Sequence, residues 1–400
     1  MATTGKRRVV LSVEQALSLP YATLRCVHLG WRVIRIEPTP GSRRSTPGDP
    51  NRYIGRPVAD GGRASYFVAP NVGKEAIAID LKREDGRALL RRLVDELGAD
   101  VFCTNTMPAH HRALGIDQAT LTATRPELIW CAISALGTAH PEVPGYDPMM
   151  QALCGYMDLT GLADGVPLQC GPPIIDLKAG DEAFTQILLA LLGARDRAID
   201  ISMGQVAVSW LQTFLPMLEM GSAPAEVTRA GNEHRQFIPV NAYPTSDGFL
   251  YVAIGSDAQW QRLVATPLFA SLADARHASN EGRRANKAAL HAAIGRITAA
   301  HPAAAVAAVL AGAEIPHAPI TPIERVMDLP FVAPALLSTR APDGRVIRLP
   351  PPATATPHLE TCDGELPFAP AYGEHTDAIL AEVGLGAAEI ARLRAEGTVT

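Results

Sequence analysis

The chain has 400 residues, of which 47% are hydrophobic and 19% are charged, and its formal net charge is −5 at pH 7. This length exceeds what one hydrophobic core usually serves, so we expect two or more domains. The composition is that of a soluble globular protein. Because proteins that bind nucleic acid concentrate positive charge, the negative balance gives no reason to expect a nucleic-acid partner.

The sequence also lacks the signals of membrane insertion and of metal binding. It contains no uncharged apolar window of about 18 residues, and its N-terminus has no signal-peptide core. Its six cysteines show no C-x-x-C spacing, so neither a zinc site nor a disulfide framework is predicted. We therefore expect a cytoplasmic protein without a metal, without a tightly bound cofactor and without a membrane partner.

In the first half of the chain, short β-branched segments alternate with helical patterns. Such alternation predicts βαβ units around a mostly parallel sheet. Ile174-Ile175 reads as the apolar end of a strand that runs into a helix. The predicted strands are 8–13, 32–37, "ADVFCTN", "LIWCAIS" and "AIDIS", and the predicted helices are 14–29, 83–97, 147–158, 179–192 and 204–220.

The pattern changes near residue 230. Two strand-like runs are joined by a turn at Ser246-Asp247-Gly248, which is a hairpin signal, and alanine-rich helices follow. The sequence therefore predicts an α/β protein whose large Rossmann-like domain has a mostly parallel sheet, with a smaller α+β domain beside it. The predicted boundaries are 1–220 for the large domain, 230–328 for the small domain, and 335–400 for a C-terminal segment that returns to the large domain.

The usual nucleotide and hydrolase motifs are absent. No G-x-G-x-x-G follows the first strand, and no G-x-x-x-x-G-K-[ST] occurs, so neither a dinucleotide nor a nucleoside-triphosphate site is predicted. No G-x-S-x-G and no H-E-x-x-H are found. The neighbouring His110 and His111 cannot share one helix face, so no metal site is expected there.

Asp176 in "GPPIIDLKAG" stands between an apolar pair and a predicted helix. Aspartate is a preferred N-cap residue, a role that contributes about 1 kcal/mol, so the residue alone indicates capping. A carboxylate at a helix N-terminus also faces unpaired backbone N–H groups, which would hold it ionised and oriented. Asp147, which follows "PGY" and precedes another predicted helix, has the same ambiguity.

Several segments occur together in a particular order. They are "LSLPYATLRCVHLGWRVIRIE", "APNVGKEAIAIDLKREDGRALLRRLVDELGADVFCTN", "LIWCAISALG", "PGYDPMMQALCGYMDLTG", "IIDLKAG", "GNEHR", "YPTSDGFLYVAIGSDAQWQRL" and "GEHTDAILAEVGLGAAEIARLRAEG". The ordered set resembles the class III coenzyme A (CoA) transferases, a family that includes formyl-CoA and carnitine-CoA transferases and α-methylacyl-CoA racemases. The resemblance runs almost from end to end.

The resemblance implies a role for particular residues and an assembly. Asp176 occupies the position of the family's nucleophile, and the family forms an interlocked dimer, so we expect a homodimer whose substrates are an acyl-CoA and a small carboxylic acid. The resemblance further implies CoA-binding positions at Ala16, Leu17, Ser18, Asn71, Lys74, Asn105, Thr106, Arg112, Tyr146 and Asp147.

Some positions depart from the family pattern. Pro38 stands where many members have an arginine near the adenosine end, and "NTMPA" replaces "NFRPG". The arginine before the following Leu-Gly is displaced by one position, to Arg112. Arg43, Arg44 and Lys82 could supply the missing positive charge.

The resemblance implies a CoA transferase that moves CoA between small carboxylic acids, such as the dicarboxylates succinate or mesaconate. The route would pass through an aspartyl anhydride and an aspartyl-CoA thioester. One alternative is an isomerase similar to the α-methylacyl-CoA racemases. Those enzymes have a histidine where Tyr146 stands, and a phenol is a poor base at neutral pH, which disfavours the isomerase. Another alternative is a CoA-binding protein without catalysis.

Overall fold

The computed structural model describes residues 7–40 and 46–400. Within these ranges the chain forms fourteen strands and seventeen α-helices, numbered here in chain order. The strands are β1 (Val9–Val13), β2 (Arg32–Glu37), β3 (Pro57–Ala59), β4 (Arg63–Ala64), β5 (Glu75–Ala78), β6 (Val101–Thr104), β7 (Ile129–Ser134), β8 (Ala198–Ser202), β9 (Val240–Thr245), β10 (Gly248–Ala253), β11 (His317–Pro319), β12 (Leu337–Arg340), β13 (Val346–Leu349) and β14 (Glu365–Leu366).

The helices fall between these strands and in the C-terminal part of the chain. They are α1 (Ser18–His28), α2 (Ser65–Asn71), α3 (Glu84–Glu96), α4 (His111–Leu114), α5 (Gln118–Thr124), α6 (Asp147–Leu153), α7 (Tyr156–Leu159), α8 (Ile174–Leu191), α9 (Met203–Ser209), α10 (Leu215–Glu219), α11 (Asp257–Val264), α12 (Asn280–Ala285), α13 (Lys287–Ala299), α14 (Ala303–Gly312), α15 (Pro357–Thr361), α16 (Thr376–Glu382) and α17 (Ala387–Ala395).

Six parallel strands form the main sheet, in the order β5-β2-β1-β6-β7-β8. The chain starts at β1, builds outward through β2 and β5, and then returns to the other side of β1 with β6. The chain connections therefore leave β1 and β6 in opposite directions, which is the arrangement that opens a crevice at the carboxyl ends of the strands. The predicted α/β fold with a mostly parallel sheet is confirmed.

Helices cover this sheet, which explains why its strands read as continuous apolar runs. The apolar face of α3 belongs to the same core cluster as strand residues such as Leu11. Its residues in this cluster include Leu89, Leu90, Leu93 and Val94. The bounds of α3 agree closely with the predicted helix at 83–97.

The chain divides into two compact units. The larger comprises Met1–Cys154, Cys170–Gln212 and Pro330–Thr400, and the smaller comprises Gly155–Gln169 and Thr213–Leu329. The larger unit carries the main sheet and two small sheets, β13-β12-β14 and β3-β4. The segment 155–169, predicted to belong to the large domain, groups with the smaller unit.

The smaller unit is built around an antiparallel sheet. The hairpin β9–β10 turns at Ser246-Asp247, and β11 pairs with β10. Helices α11, α13 and α14 cover it through a second core that includes Trp260, Ile294 and Leu310. No single described helix is long and apolar enough to span a membrane, and α13 and α14 pass the same length and hydropathy test only as a pair, across a bend of 116°.

The predicted starts of two helices, α1 and α8, are wrong. Helix α1 begins at Ser18 rather than at residue 14, because Ala16 has a φ of +60° and breaks helical geometry. Helix α8 begins at Ile174 rather than at residue 179, so Ile174 and Ile175 belong to its first turn and not to a strand. The predicted helices at 147–158 and 204–220 are each divided into two, the first at Gly155, whose φ is +86°.

Helices α1 and α8 approach each other closely at Gly180. A Cβ built on Gly180 would lie 2.5 Å from the carbonyl oxygen of Ser18, a distance that real Cβ atoms do not adopt. Gly180 lies four residues after Asp176, and residues four apart share one helix face. The absence of a side chain at Gly180 therefore lets the first turn of α1 lie against the face of α8 that carries Asp176.

We predict that Gly180→Ala destabilises the protein by about 1–3 kcal/mol, because the added methyl group overpacks a contact made with backbone atoms. A glycine-to-alanine change within a helix normally stabilises by up to about 1 kcal/mol, so the sign is diagnostic. Gly312→Ala is the matched control, since a Cβ there meets nothing within 4 Å. Urea unfolding of both variants tests this, and equal stabilisation by the two would contradict the close contact.

Candidate active site

A cavity of about 780 Å³ opens at the carboxyl ends of β1 and β6, where the chain connections leave in opposite directions. Its volume falls within the range typical of small-molecule sites. The ends of four neighbouring strands and the loops after them supply its walls. The lining residues are 13–15, 36–39, 48, 49, 79–82, 106, 107, 110, 113 and 114.

The walls are mainly apolar, and the charge available to a ligand is limited. Among the described lining residues, Lys82 is the only lysine or arginine, and its side chain is exposed. Pro38 lines the cavity at the place where the family pattern has an arginine. Arg43 and Arg44, predicted as further candidates, lie outside the described residues.

Asp176 is the third residue of α8, so the prediction that it caps this helix is wrong. The N-cap position is occupied by Pro173. The carboxyl group is partly exposed, and the hydroxyl group of Ser18 donates a hydrogen bond to it. Asp176 therefore lies between the first turns of α1 and α8, where Gly180 brings the two helices together.

Asp147, from the start of α6, performs the capping of α8. Its Oδ2 accepts hydrogen bonds from the backbone N–H groups of Ile175 (2.7 Å) and Asp176 (3.1 Å). The Ile174 and Leu177 N–H groups donate to the carbonyls of Pro172 and Pro173. All four N–H groups of the first turn of α8 are thus occupied, which corrects the expectation that they hold the Asp176 carboxylate ionised.

Burial and the neighbouring Asp147 carboxylate raise the pKa of Asp176 to about 7, against the lowering influence of the Ser18 hydrogen bond. Burial acts by disfavouring the charged form, and a like charge nearby acts in the same direction. A carboxyl group with such a shift in a cleft is a candidate for chemistry. Its neighbour Asp147 is buried and held from the other side by the side-chain amide of Gln151.

The loop at residues 15–18, called here the 15–18 loop, connects the large cavity with Asp176. Gln15 lines the cavity, and Ser18 contacts Asp176. Helix α1 has no side-chain cap at its start. Among the described residues, no acceptor therefore binds the backbone N–H groups of Leu17, Ser18 or Leu19. The site therefore combines a carboxyl group with unoccupied backbone donors.

Asn105 is a structural partner of this loop. Its Oδ1 accepts a hydrogen bond from the N–H group of Gln15 (3.0 Å), and its Nδ2 donates to the carbonyl of Gln15 (2.8 Å). The same Nδ2 lies 3.4 Å from the hydroxyl oxygen of Ser18. Asn105, predicted to contact CoA, thus follows β6 and fixes the backbone beside the cavity.

Asn71 and Lys74 do not lie where the resemblance places them, on the groove wall. Their exposed fractions are 0% and 3%, and neither lines the large cavity. The ammonium group of Lys74 contacts Glu14 at 2.8 Å and Asn71 at 3.1 Å. Both side chains belong to a buried charge network, defined as Glu14, Arg35, Glu37, Asp49, Arg52, Asn71 and Lys74.

Of the remaining predicted residues, Thr106 and Tyr146 lie near opposite ends of the site, and Arg112 lies outside it. Thr106 lines the large cavity. Tyr146 is 65% exposed and precedes α6, adjacent to Asp147. Arg112 is exposed but lines a separate cavity of about 460 Å³ with Asp117 and Asp200, so it is not a wall of the large cavity.

Sequence reasoning missed Gln15, Asn51 and Gln151, because their importance lies in long-range contacts. Asn51 donates from Nδ2 to the carbonyl of Ala16 at 3.1 Å, across 35 positions of the chain. Gln151 supports Asp147 and accepts the N–H group of Cys170 at 2.8 Å. The "GDPN" stretch before residue 52 signals a turn, but no spacing in the sequence connects it with Ala16.

We predict that the free energy of unfolding of Asp176→Asn, compared with that of the wild type, increases as pH rises from about 4 to about 8. The folded-state pKa of Asp176 lies above its ordinary value, so the folded state binds this proton more tightly. That contribution is complete below the ordinary pKa and is lost as pH rises through about 7. Asparagine cannot ionise and escapes the loss.

Urea unfolding of both proteins at several pH values measures this. Asp147→Asn provides the contrast, because removal of its charge should lower the pKa of Asp176 and move the loss to lower pH. A stability difference between Asp176→Asn and the wild type that does not change with pH would contradict the raised pKa.

The comparisons with known proteins all indicate the same family. Residues 7–376 match the family model for CoA-transferase family III. The succinate–glutarate CoA-transferase of Agrobacterium fabrum is 32% identical over 394 residues, covering 94% of this chain and 94% of that protein. The acetyl-CoA:oxalate CoA-transferase of Acetobacter aceti is 33% identical over 337 residues, covering 81% and 82%.

The fold comparison agrees with the sequence comparison. The crystal structure of a CaiB/BaiF family protein from Brucella suis superposes with a TM-score of 0.80 at 30% identity, covering 94% of this chain and 98% of that one. The resemblance found in the sequence is thereby confirmed. The chain belongs to CoA-transferase family III.

Proposed function

We propose that the protein transfers CoA between small dicarboxylic acids, with Asp176 as the covalent nucleophile. The observation that carries the proposal is the position of the Asp176 carboxyl group, partly exposed beside the open N-terminus of α1. Family membership supplies the reaction class. The substrate class is supported by relatives whose names specify succinate, glutarate and oxalate.

The reaction needs a covalent intermediate because oxide is a poor leaving group from a free carboxylate. The Asp176 carboxylate attacks the thioester carbon of the donor, the C–S bond breaks, and CoA leaves as a thiolate, which gives a mixed anhydride. The thiolate then attacks the aspartyl carbonyl, which releases the donor acid and leaves an aspartyl-CoA thioester. This sequence splits one difficult displacement into easier ones.

The acceptor acid reverses these steps. Its carboxylate attacks the aspartyl-CoA carbonyl and expels the CoA thiolate, and the thiolate attacks the acceptor's carbonyl in the second anhydride. The new acyl-CoA leaves and the Asp176 carboxylate is restored. No water and no net proton enter the cycle, so exclusion of water from the anhydride is the main demand on the site.

The raised pKa of Asp176 suits a nucleophile. A more basic carboxylate is a stronger nucleophile, and a pKa near the working pH leaves a useful fraction ionised. By accepting the first N–H groups of α8, Asp147 keeps them from stabilising the charge on Asp176. Its own negative charge acts in the same direction.

Backbone donors are available for the oxyanion that forms on the thioester carbonyl. The N–H groups of Leu17 and Ser18 lie at the start of α1 beside Asp176 and meet no acceptor among the described residues. Pre-positioned donors of this kind stabilise tetrahedral intermediates, and removal of one typically costs about 10²–10³ in rate. They are the donors that we assign to this role.

The large cavity is the proposed place for the nucleotide end of CoA. It lies at the sheet position where α/β proteins bind ligands. The 15–18 loop leads from its wall to Asp176, so a pantetheine arm along this loop would bring the thioester to the carboxylate. Lys82 supplies positive charge at the cavity for the phosphates.

We also propose that the protein is a homodimer. Helix α8 is apolar on most sides, yet Leu188, Leu189 and Leu191 stay partly exposed and Leu192 is 80% exposed. Trp210, beyond α9, is 51% exposed. Exposed apolar groups of this size indicate a contact surface, and a second copy of the chain is the proposed partner. A monomeric mass in sedimentation equilibrium would contradict it.

We predict that Asp176→Asn and Asp176→Ala each lower transfer activity by roughly 10³-fold or more, because the anhydride forms on the Asp176 carboxylate. CoA exchange between succinyl-CoA and a panel of dicarboxylic acids measures the activity. The matched control is Asp181→Asn, which makes the same change further along α8, where the carboxylate pairs with Arg25 instead.

Trapping tests the covalent route directly. After exposure to succinyl-CoA, hydroxylamine should leave a hydroxamate on Asp176 that mass spectrometry can locate. No exchange with any acid would end the transferase proposal. Loss of an α-deuteron from a 2-methylacyl-CoA would favour the isomerase instead, and CoA binding without either reaction would favour a binding protein.

We predict that Lys82→Met raises the KM for acyl-CoA roughly threefold to tenfold with little change in kcat, since a phosphate contact binds substrate and transition state alike. Added salt should reduce the difference from the wild type by screening. Arg83→Met is the control, because Arg83 is the next residue and does not line the cavity. Equal effects from both variants would remove Lys82 from the site.

A further inference from the structure

Ala16 holds a backbone conformation that alanine rarely adopts. Its φ is +60°, a left-handed geometry that is strained for a residue with a Cβ. Such geometry persists only where the surroundings enforce it, and it concentrates at functional sites. Ala16 lies in the 15–18 loop, directly before the residues that open α1.

Contacts from two other segments surround this residue. The N–H group of Ala16 donates to Oδ1 of Asp49 at 3.3 Å, and Nδ2 of Asn51 donates to its carbonyl at 3.1 Å. From the other side, Asn105 forms a paired amide contact with Gln15. Both backbone groups of residues 15 and 16 are therefore fixed by side chains that lie far away along the chain.

Asp49 is itself anchored in the buried charge network. Its Oδ2 lies 2.9 Å from Nη2 of Arg35, and its N–H group donates to Glu37 at 3.0 Å. One carboxylate oxygen thus faces the buried cations, and the other faces Ala16. Asn51 contacts Ala16 without entering the network, so its side chain can be removed without leaving a buried charge unpaired.

We propose that Asn51, Asp49 and Asn105 are positioning residues, which hold Ala16 in its left-handed conformation and thereby aim the Ser18 hydroxyl and the open N–H groups of α1 at Asp176. The proposal rests on the proposed function of Asp176. None of the three side chains contacts Asp176; they act through the backbone of the 15–18 loop and, for Asn105, also through the Ser18 hydroxyl at 3.4 Å. The expected effect is therefore on the rate of the chemical steps rather than on substrate binding.

Asn51→Ala tests the proposal in the full-length protein. The loss of one positioning hydrogen bond should lower kcat about tenfold, with the KM for succinyl-CoA nearly unchanged. Asn280→Ala is the matched control, since the Asn280 side chain donates to the carbonyl of Gln236 at 2.9 Å in the smaller unit. It should leave kcat unchanged.

Ala16→Gly provides the rescue, because glycine adopts positive φ without strain. In the Ala16→Gly background, the removal of Asn51 should cost clearly less than the loss seen with alanine at position 16. An equal kcat loss in both backgrounds, or a higher KM with unchanged kcat, would overturn the positioning role.

Unfolding separates this proposal from the proposed function. If the wild type transfers no CoA, the function fails, but the urea midpoints of the two single variants and the double variant still report on the loop. If the shifts in urea midpoint of the two single variants do not add up to that of the double variant, Asn51 and Ala16 are coupled, as the proposal requires. Substitutions at residues in contact are coupled, whereas independent substitutions are additive. Additive shifts would overturn the proposal.

Discussion

The close contact of α1 with α8 at Gly180 is the constraint on which the candidate site depends. A side chain at this position would meet the Ser18 carbonyl at 2.5 Å, so the two helix starts can lie together only because glycine is there. This contact brings a carboxyl group from one helix to the open N–H groups of the other. The chemistry proposed for Asp176 needs both at one place.

The buried charge network provides the rigid support behind this contact. Glu14, Glu37 and Asp49 are balanced by Arg35, Arg52 and Lys74, and all six are almost fully buried. The guanidinium carbons of Arg35 and Arg52 lie 4.6 Å and 3.9 Å from the ring centroid of Phe67. Loss of one member would leave a buried charge unpaired, which typically costs about 3–5 kcal/mol. The network extends to the 15–18 loop through Asp49, so its stability and the loop geometry are connected.

The two aspartates of the site differ in which one receives the helix donors. Asp147 accepts the N–H groups at the start of α8, and Asp176 accepts a single hydroxyl. Burial and the nearby charge of Asp147 raise the pKa of Asp176, although the residue lies in the first turn of a helix. Position in a helix therefore does not by itself determine the charge state of a carboxylate.

The sequence by itself determined the parallel-sheet fold, the hairpin of the smaller unit and the family, and it singled out Asp176 as a candidate. The spacing of apolar residues and the order of the segments can be recognised along the chain without its tertiary structure. The sequence misplaced the start of α1, because the left-handed Ala16 is held by Asp49 and Asn51 from more than 30 positions away. It misplaced the start of α8, whose N–H groups are capped by Asp147 from a different helix. It likewise placed Asn71 and Lys74 at a groove, whereas pairing with Arg35 and Glu14 buries them. Only the tertiary structure decides which donors are free, which charges are buried and which carboxyl group has a raised pKa. These properties depend on neighbours in space and not on neighbours along the chain.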